Sequence, residues 1–408
     1  MTKAILLARR EYFGYLFYNT HSGDLFVSKT DNDIDFSQDF VIKDSSGAVY
    51  SSKDVRLLAS FPGRSGILSA PTYVEIYPTL FCNERCKFCY VGDKLNSYLP
   101  GMSRSDAEKL ANDLVENGVF EVSILGGEPF LYKDLPWLLD LFGKKGFELS
   151  LSTNGTVYNE SVFEKIKQYG IDLNLSFHSH LPEIHSRIVN NAAAYGKMLS
   201  NLRLMIQEGI SPHVSFLITK ENQDTILDTI KFLHKEDIKR ISIFHTMKAG
   251  FVTNSSRESV DFNTYKTLFL KASKLGAELG VKVTSRTNFP FLIYENMEFN
   301  TELGLSNILY GTVDTRRILY VLYDGSTYST MYKLKDKQEY IGNVLTEGLN
   351  SIWTKSNNLE ALRNSPPLNH CSNCRHFEYC RGGSVINYIS RTRDEPPECP
   401  LHSQLLAE

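Results

Sequence analysis

The segment 81–90, FCNERCKFCY, carries Cys82, Cys86 and Cys89 in a C-x3-C-x2-C spacing, just past a predicted strand. Iron–sulfur clusters are normally held by four cysteines. Three thiolates this close together can hold three irons of a cubane cluster and leave the fourth iron without a protein ligand. From the residues alone, the alternative is a zinc site completed by a distant His or Cys.

A second motif, Gly126-Gly127-Glu128-Pro129, follows the second predicted strand. With the cysteine triplet it is typical of the radical S-adenosylmethionine (radical SAM) superfamily, which the chain resembles from about residue 73 to about residue 400. In that family the amino and carboxylate groups of SAM fill the open site on the cluster. The glycines let the backbone approach the methionine part of SAM, while carbonyl and carboxylate acceptors receive its ammonium group. Such a turn alone would fit an ordinary loop, but after the triplet it favours the cluster over zinc.

The resemblance implies further contacts with SAM. Phe88 would pack near the adenine, and a loop-anchoring role is the alternative. Asn154, in a run that resembles the family's T-N-G segment, would structure the SAM pocket, although Asn-Gly is also a common turn pair. Ser176 matches a serine that contacts SAM in relatives, but His178 and Ser179 replace the Asp-Gly that usually follows.

Two more contacts are implied near the fourth and sixth predicted strands. Close relatives carry a His and then an Arg that pairs with the SAM carboxylate. Four residues after His185, where that arginine often stands, the chain has Val189. Arg187 is the nearest substitute, and a bidentate clamp on a carboxylate suits a guanidinium. Met247 stands where relatives place an apolar residue against the adenine, and a plain core methionine is the alternative.

A second group of cysteines lies near the end of the chain. Its members are Cys371, Cys374, Cys380 and Cys399. The sequence around these cysteines resembles the SPASM extension of radical SAM maturases. That extension normally binds two auxiliary clusters. The four cysteines match the full ligand set of one of these, whereas Thr330 and Ser384 stand at positions of missing cysteines. The resemblance therefore implies a reduced SPASM, or twitch-type, domain with one auxiliary 4Fe–4S cluster. A zinc knuckle is the alternative.

The composition and charge limit the classes of protein to which the chain can belong. The 408 residues are 42% hydrophobic and 22% charged, as in a soluble globular protein with one large domain and one or two small ones. A formal net charge of −3 argues against a general nucleic-acid binder. We read no signal peptide and no stretch long enough to cross a bilayer. Seven cysteines without an export signal fit a reducing compartment, so we expect a cytoplasmic protein.

Repeated alternation of β-rich and amphipathic helical runs predicts an α/β fold with a parallel sheet. Six such units match the partial (β/α)6 barrel of the radical SAM family. The predicted strands are Tyr73–Tyr77, Glu121–Leu125, Glu148–Ser152, Leu173–Phe177, His213–Ile218 and Arg240–Phe244. The predicted helices are Arg104–Asn117, Leu135–Phe142, Val162–Tyr169, Gly196–Glu208 and Asp224–His234, with a later one at Phe262–Gly280.

The pattern also predicts four regions. Residues 1–70 form a small β-rich unit, which either caps the main domain or docks a substrate. Residues 71–250 form the barrel and residues 251–315 a connecting region. Residues 316–408 form the SPASM-like domain, beginning with a hairpin around Asp324-Gly325.

These motifs predict an enzyme that reductively cleaves SAM to a 5′-deoxyadenosyl radical, which removes a hydrogen atom from a substrate. The SPASM resemblance and the extra N-terminal unit favour a ribosomally synthesised precursor peptide that is cross-linked or otherwise modified. The alternative is dehydrogenation of a small molecule such as a sugar alcohol. A sulfatase-maturing role is poorer, because Met331 stands where such enzymes use an Asp. A zinc-binding scaffold is the non-enzymatic alternative.

The expected partners follow from this chemistry. They are a precursor peptide and a reductant such as flavodoxin or ferredoxin, with neither nucleic acid nor membrane. The expected cofactors are SAM, a 4Fe–4S cluster on the first three cysteines, and one auxiliary 4Fe–4S cluster on the last four.

Overall fold

The computed structural model describes residues 5–27, 34–44, 46–61, 67–95, 101–245, 259–285, 315–331 and 339–364. Several predicted features lie outside these residues. They are the predicted adenine contact Met247, Ser384, and the predicted auxiliary-cluster cysteines Cys371, Cys374, Cys380 and Cys399.

The described residues of the N-terminal unit contain six short strands. They are β1 (Leu6–Glu11), β2 (Gly14–Asn19), β3 (Leu25–Val27), β4 (Val41–Lys43), β5 (Val49–Ser51) and β6 (Val55–Leu57). Four of them form a sheet in the order β3-β2-β1-β6, and β4 and β5 form a separate antiparallel pair. Strands β2 and β3 pair as an antiparallel hairpin. Strand β1 was not predicted, because Arg9, Arg10 and Glu11 interrupt its apolar pattern.

Over the ranges that the structure describes, a sheet of ten strands forms the main body of the protein. Its parallel strands are β7 (Tyr73–Tyr77), β8 (Glu121–Ile124), β9 (Glu148–Thr153), β10 (Asp172–Ser176), β11 (His213–Ile218), β12 (Arg240–His245) and β13 (Lys282–Ser285). The six predicted strands are confirmed to within one residue at each end. Strand β13 adds a seventh from the region predicted as a connection, since a four-residue strand gives too weak a pattern to predict.

Helices connect these strands and cover one face of the sheet. They are α1 (Arg104–Glu116), α2 (Leu135–Lys145), α3 (Glu160–Tyr169), α4 (Pro182–Val189), α5 (Ala194–Gln207), α6 (Ile226–Lys235) and α7 (Phe262–Leu279). The ends of these helices carry common capping residues. The Ser103 hydroxyl accepts from the Asp106 N–H before α1, and left-handed Gly170 ends α3. Within the described part of the chain, no helix has both the length and the hydropathy needed to cross a membrane.

Side chains alternate between the two faces of the parallel strands. Apolar residues such as Val122, Leu151 and Phe216 are buried under the helices. The opposite, inner face carries Ser123, Ser150, Asn174 and other short polar residues. The hydrophobic core therefore lies between the sheet and the helices. The inner face carries polar side chains and does not take part in this core.

The C-terminal part continues the same sheet. Strand β14 (Ile318–Leu322) pairs in parallel with β7, and β15 (Ser326–Tyr328) and β16 (Tyr340–Asn343) follow in antiparallel order. The predicted hairpin at Asp324-Gly325 is β14 and β15. Three short helices then follow, α8 (Val344–Glu347), α9 (Leu349–Lys355) and α10 (Asn357–Arg363). Trp353 of α9 is fully buried, and its Nε1–H donates to the Leu68 carbonyl at 2.7 Å.

A buried ion pair joins the N-terminal unit to the main sheet. Arg9 and Glu11 lie 2.7 Å apart, and neither side chain is exposed. The Arg9 guanidinium donates to the carbonyls of Ala70, Pro71 and Gly118, which precede β7 and β8. The unit is thus fixed at the N-terminal ends of these strands. The segment 81–90 with its three cysteines, called the cysteine loop below, follows the C-terminal end of β7.

Candidate functional site

The cysteine loop leaves β7 and is held by the end of helix α4. The Arg85 N–H donates to the Val189 carbonyl at 3.1 Å, and the Lys87 N–H donates to the Ile188 carbonyl at 3.0 Å. These two bonds fix the backbone on both sides of Cys86. Because parallel strands end on one edge of the sheet, the loop lies beside the turns that follow β8, β9 and β10.

Within the described residues none of the three thiols of this loop forms a disulfide, and Cys82 is buried while Cys86 and Cys89 are half-buried. Burial raises the pKa of Cys82 to about 12, and it also raises the pKa values of the other two thiols. Without a cation these thiols stay protonated, and iron would supply the positive charge that thiolates need. Among the described residues, no three His, Cys, Asp or Glu side chains converge on a single-ion site. Three thiols on one turn that are not joined in disulfides fit the triplet expected for a cluster.

The Gly-Gly-Glu-Pro turn packs against the chain that enters the cysteine loop. The N–H groups of Gly127 and Glu128 donate to the carbonyls of Thr79 and Phe81 at 2.9 and 2.8 Å. A Cβ on Gly126 would lie 2.4 Å from the Thr79 oxygen, and one on Gly127 would lie 2.2 Å from the Phe81 oxygen. Gly126 also has a φ of +146°, which side chains disfavour. In the structure, therefore, both glycines let the turn lie against this segment.

Glu128 joins that turn to the end of β9. Its buried carboxylate accepts from the Thr153 hydroxyl at 2.7 Å, the Asn154 N–H at 2.7 Å and the Phe130 N–H at 3.0 Å. Burial raises the pKa of Glu128 to about 7. The predicted contact between this carboxylate and the ammonium group of SAM stays a prediction. In the structure the carboxylate receives three donors of the chain itself, which holds the two turns together.

A closed set of three polar side chains links the cysteine loop to the same strand end. Asn154 donates to the Asn83 side-chain oxygen at 2.8 Å, and Asn83 donates to the Thr156 hydroxyl at 2.7 Å. That hydroxyl in turn donates to the Asn154 oxygen at 2.7 Å. Asn154 therefore braces the loop, and its predicted role in the SAM pocket is untested. Asn83 was not predicted, although its place between the first two cysteines was an available signal.

The predicted carboxylate clamp, Arg187, lies at the side of the loop. Its Nε donates to Glu221 at 3.1 Å, and Lys87 of the cysteine loop pairs with the same carboxylate. The Arg187 side chain is 57% exposed. The geometry shows a surface ion-pair cluster around Glu221, and the contact of Arg187 with SAM stays a prediction.

Phe88 and Ser176 lie where the loop meets the end of β10. Ser176 is the last residue of that strand and is half-buried. The Phe88 ring contacts the His178 ring edge-on, with centroids 4.8 Å apart. His178 was noted in the sequence only as a departure from the usual Asp, so this contact is new.

Short polar side chains follow one another across the inner face of the sheet. Ser150 donates to Ser123 at 2.8 Å, and Ser215 donates to Asn174. The row continues through Ser152, His213, Ser242 and Thr284. Closed barrels usually fill this space with branched apolar residues. Here Ser150, Ser152, Asn174 and Thr284 remain partly exposed.

Replacing Gly127 with alanine is expected to lower the free energy of unfolding by about 1–3 kcal/mol. The new Cβ meets the backbone of Leu80 and Phe81, which side-chain rotation cannot relieve. Urea unfolding of the cluster-free protein measures the change. Gly196→Ala is the matched control, because nothing lies within 4 Å of its Cβ position in helix α5. Equal unfolding midpoints for the Gly127 variant and the wild type would contradict the close packing.

Two family models match the chain. The Radical SAM superfamily model matches residues 76–233, from β7 to α6. The SPASM model, described as an iron–sulfur cluster-binding domain, matches residues 314–375. The first match contains the cysteine loop and the Gly-Gly-Glu-Pro turn.

Curated relatives and solved structures extend the similarity. Fe-coproporphyrin III synthase of Methanosarcina barkeri is 26% identical over 322 residues, 74% of this chain and 80% of that protein. Pre-heme d1 synthase of Dinoroseobacter shibae is 23% identical over 349 residues, 78% and 84% of the two chains. The structure of Streptococcus suis SuiB bound to precursor peptide SuiA has a TM-score of 0.77 at 17% identity and covers 97% of each chain.

Proposed function

This protein carries a radical SAM domain followed by a SPASM iron–sulfur cluster-binding domain, and from that premise we propose that it modifies a ribosomally synthesised precursor peptide. The two domains confirm the predicted superfamily and imply 4Fe–4S clusters with SAM. The peptide substrate goes beyond what the two domains imply and is the part that we propose. It is supported by the likeness to SuiB, which covers 97% of this chain and so includes the N-terminal unit, and SuiB was solved with a precursor peptide.

The observation that carries the proposal is the polar inner face of the sheet. A peptide presents an N–H donor and a carbonyl acceptor at nearly every residue. Hydroxyls and amides such as Ser150, Ser152 and Asn174 can bond to either kind of group, and all three remain partly exposed. Their small size leaves room beside the strands for an extended segment.

The chain's own residues have distinct roles in this proposal. Cys82, Cys86 and Cys89 hold the cluster, and the end of α4 holds their loop. Glu128 and Asn154 keep the adjoining turns in place. The cluster and SAM, when bound, supply one-electron reduction of the sulfonium and removal of a hydrogen atom from the substrate. The four C-terminal cysteines are proposed to hold an auxiliary cluster.

The position of the N-terminal unit sets a condition on the peptide. If residues 1–70 dock the substrate, they do so at the N-terminal ends of the strands, where Arg9 fixes the unit. The cysteine loop follows the other end of β7, a strand of five residues. At about 3.3 Å per residue, an extended peptide needs roughly five residues to cover this height. The modified residue is thus expected at least about five residues from the docked segment.

A small-molecule substrate is the second candidate. It was the alternative from the sequence, and the names of the two curated relatives favour a tetrapyrrole over a sugar alcohol. A tetrapyrrole with several carboxylates would need cationic partners on the inner face. Arg240 lies on that face, but it is paired with Asp172 at 2.7 Å.

Mass spectrometry of an anaerobic reaction separates the two candidates. The cluster-loaded protein is incubated with SAM, a reductant and short peptides encoded beside its gene, or with Fe-coproporphyrin III. The peptide proposal expects 5′-deoxyadenosine release with a matching change in peptide mass, such as loss of two hydrogens for a cross-link. Consumption of the tetrapyrrole with every peptide unchanged would overturn the proposal.

A further inference from the structure

A group of cations lies beside the cysteine loop. Arg85 and Lys87 flank Cys86 within the loop. Arg187 lies in the last turn of α4, and Lys220 follows β11. Arg187 and Lys220 are exposed, and the other two are partly exposed. We call these four side chains the basic patch.

Contacts between three segments of the chain assemble the basic patch. One carboxylate oxygen of Glu221 pairs with Lys87, and the other pairs with Arg187 at 3.1 Å. The backbone N–H groups of Arg85 and Lys87 donate to the last two carbonyls of α4. Lys220 is the neighbour of Glu221 in the chain. The patch is therefore a fixed surface of the folded protein.

The patch carries an excess of positive charge, although the formal net charge of the whole chain is −3. Its four cations share one carboxylate, that of Glu221, which leaves three of the four charges uncompensated within the patch. The exposed carboxylates of Glu183 and Asp224 come from the same segments, and within the described residues neither forms an ion pair with the patch. The local charge stays positive even with both included. Such a surface attracts an acidic partner and speeds its approach.

The patch opens to the side of the sheet that is away from the proposed substrate. Helix α4 lies on the helix-covered side, because the ring of its His185 meets the ring of Phe177 with centroids 5.9 Å apart, and Phe177 belongs to the core under the helices. The inner face proposed for the substrate is the opposite one. A partner on the patch would therefore come close to Cys86 without blocking the substrate.

The chemistry of the radical SAM domain needs a partner close to Cys86. Each reductive cleavage of SAM consumes one electron from outside the protein. Electron transfer slows steeply with distance, so the donor has to reach the surface next to the cluster. Electron-transfer complexes are typically small and weak, and attraction between charges then decides where the partners meet. The Arg85 guanidinium lies against the loop itself, since it donates to the carbonyls of Cys82 and Glu84 at 3.1 and 2.8 Å.

We propose that the basic patch docks an acidic one-electron carrier protein of the flavodoxin type, which reduces the cluster through the outer side of the cysteine loop. The anionic hydroquinone of the carrier gives up one electron and becomes the neutral semiquinone, and the cluster takes up that electron, so no proton moves. Lys87 and Lys220 attract carboxylates of the carrier, and Glu221 holds Lys87 beside Arg187. The inference rests on the radical SAM domain and does not depend on a peptide substrate.

Binding of oxidised flavodoxin tests the docking surface without turnover. Anaerobic calorimetry on the cluster-loaded protein at low salt compares the wild type with Lys87→Glu/Lys220→Glu. Reversal of two charges is expected to weaken binding at least about 10-fold. Added salt should weaken binding to the wild type much more than to the variant. Glu221→Gln removes the carboxylate of the patch and should tighten binding about 2- to 5-fold, a gain that damage to the loop would not give.

A matched double variant separates the patch from the charge of the whole protein. Lys144 pairs with Asp140 at 2.6 Å, and Lys167 pairs with Glu208 at 2.9 Å. Both lysines lie in the last turns of their helices, at the edge of the sheet opposite the cysteine loop. Lys144→Glu/Lys167→Glu changes the net charge by the same amount as the patch variant. It is expected to bind flavodoxin within about threefold of the wild type.

The rate of 5′-deoxyadenosine release with two reductants shows whether docking or the cluster is affected. Reduced flavodoxin should drive the patch variant at least about 10-fold more slowly than the wild type. The methyl viologen radical is a small cation that does not need the patch. It should drive the patch variant at least as fast as the wild type.

Four outcomes would overturn the inference. A wild type that does not bind flavodoxin, or a patch variant that binds it as tightly as the wild type, would show that the patch is not the docking surface. Equal weakening in the Lys144→Glu/Lys167→Glu control would assign the effect to net charge alone. Equal slowing with methyl viologen would assign it to a damaged cluster. Each of these results leaves the peptide proposal standing, because that proposal is tested by peptide mass.

Discussion

Replacement of Cys86 by alanine is expected to abolish 5′-deoxyadenosine release from SAM. The substitution removes one of three proposed cluster ligands, and the loop has no spare cysteine at 81–90. Loss of an outer-shell partner alone typically costs 10- to 100-fold in metal affinity or activity, so loss of a ligand should exceed about 100-fold. Anaerobic chromatography of the reaction products and an iron assay measure the effect.

Cys380→Ala is the comparison for this prediction. Cys380 belongs to the C-terminal group predicted from the sequence to hold the auxiliary cluster. The variant should lose about half of its iron, since one of two 4Fe–4S clusters is removed. It should still release 5′-deoxyadenosine, while product formation stops. Full product yield from Cys380→Ala would refute an electron-accepting role, and SAM cleavage by Cys86→Ala would refute the proposed ligand set.

Replacement of Arg9 by methionine is expected to lower the free energy of unfolding by about 3–5 kcal/mol. Methionine fills much of the same volume but leaves the Glu11 carboxylate buried without its cation. Glu11 keeps two donors, the N–H of Ser69 at 2.7 Å and the Ser69 hydroxyl at 3.0 Å, which are too little to offset a buried charge. The carbonyls of Ala70 and Gly118 also lose their donor. Urea unfolding of the cluster-free protein measures the loss.

Two further variants show whether the ion pair is the cause. Arg10 is the exposed neighbour on β1, and Arg10→Met should change stability by no more than about 0.5 kcal/mol. The double variant Arg9→Met/Glu11→Met should be more stable than Arg9→Met alone, because it leaves no unpaired buried charge. A double variant that is less stable than the single one would contradict this explanation.

Much of the fold was readable from the sequence because its signals are local. The strand at Tyr73–Tyr77 and the strand at His213–Ile218 were predicted to the residue, since buried strands flanked by helical runs have short and distinct patterns. The cysteine triplet and the Gly-Gly-Glu-Pro turn identified the superfamily for a similar reason. Their chemistry needs particular residue types at fixed spacings, and spacing along the chain is visible without coordinates.

Other features depended on contacts between residues far apart in the chain. Arg9 and Arg10 are adjacent arginines, yet only packing against residues 70, 71 and 118 buries the first of them. The three partners of Glu128 come from the turn itself and from the end of β9, which the sequence does not place together. The pairing of β14 with β7 likewise crosses more than two hundred residues.

The sequence by itself therefore determined the superfamily, the order of the six predicted parallel strands, and the cysteines proposed to hold the clusters. Only the tertiary structure decided that Asn83 and Asn154 brace the cysteine loop and that the ring of His178 contacts the ring of Phe88. The physical reason is that periodicity and spacing act over a few residues. Burial, charge state and hydrogen-bond partners are set by sheet register and by packing between distant segments.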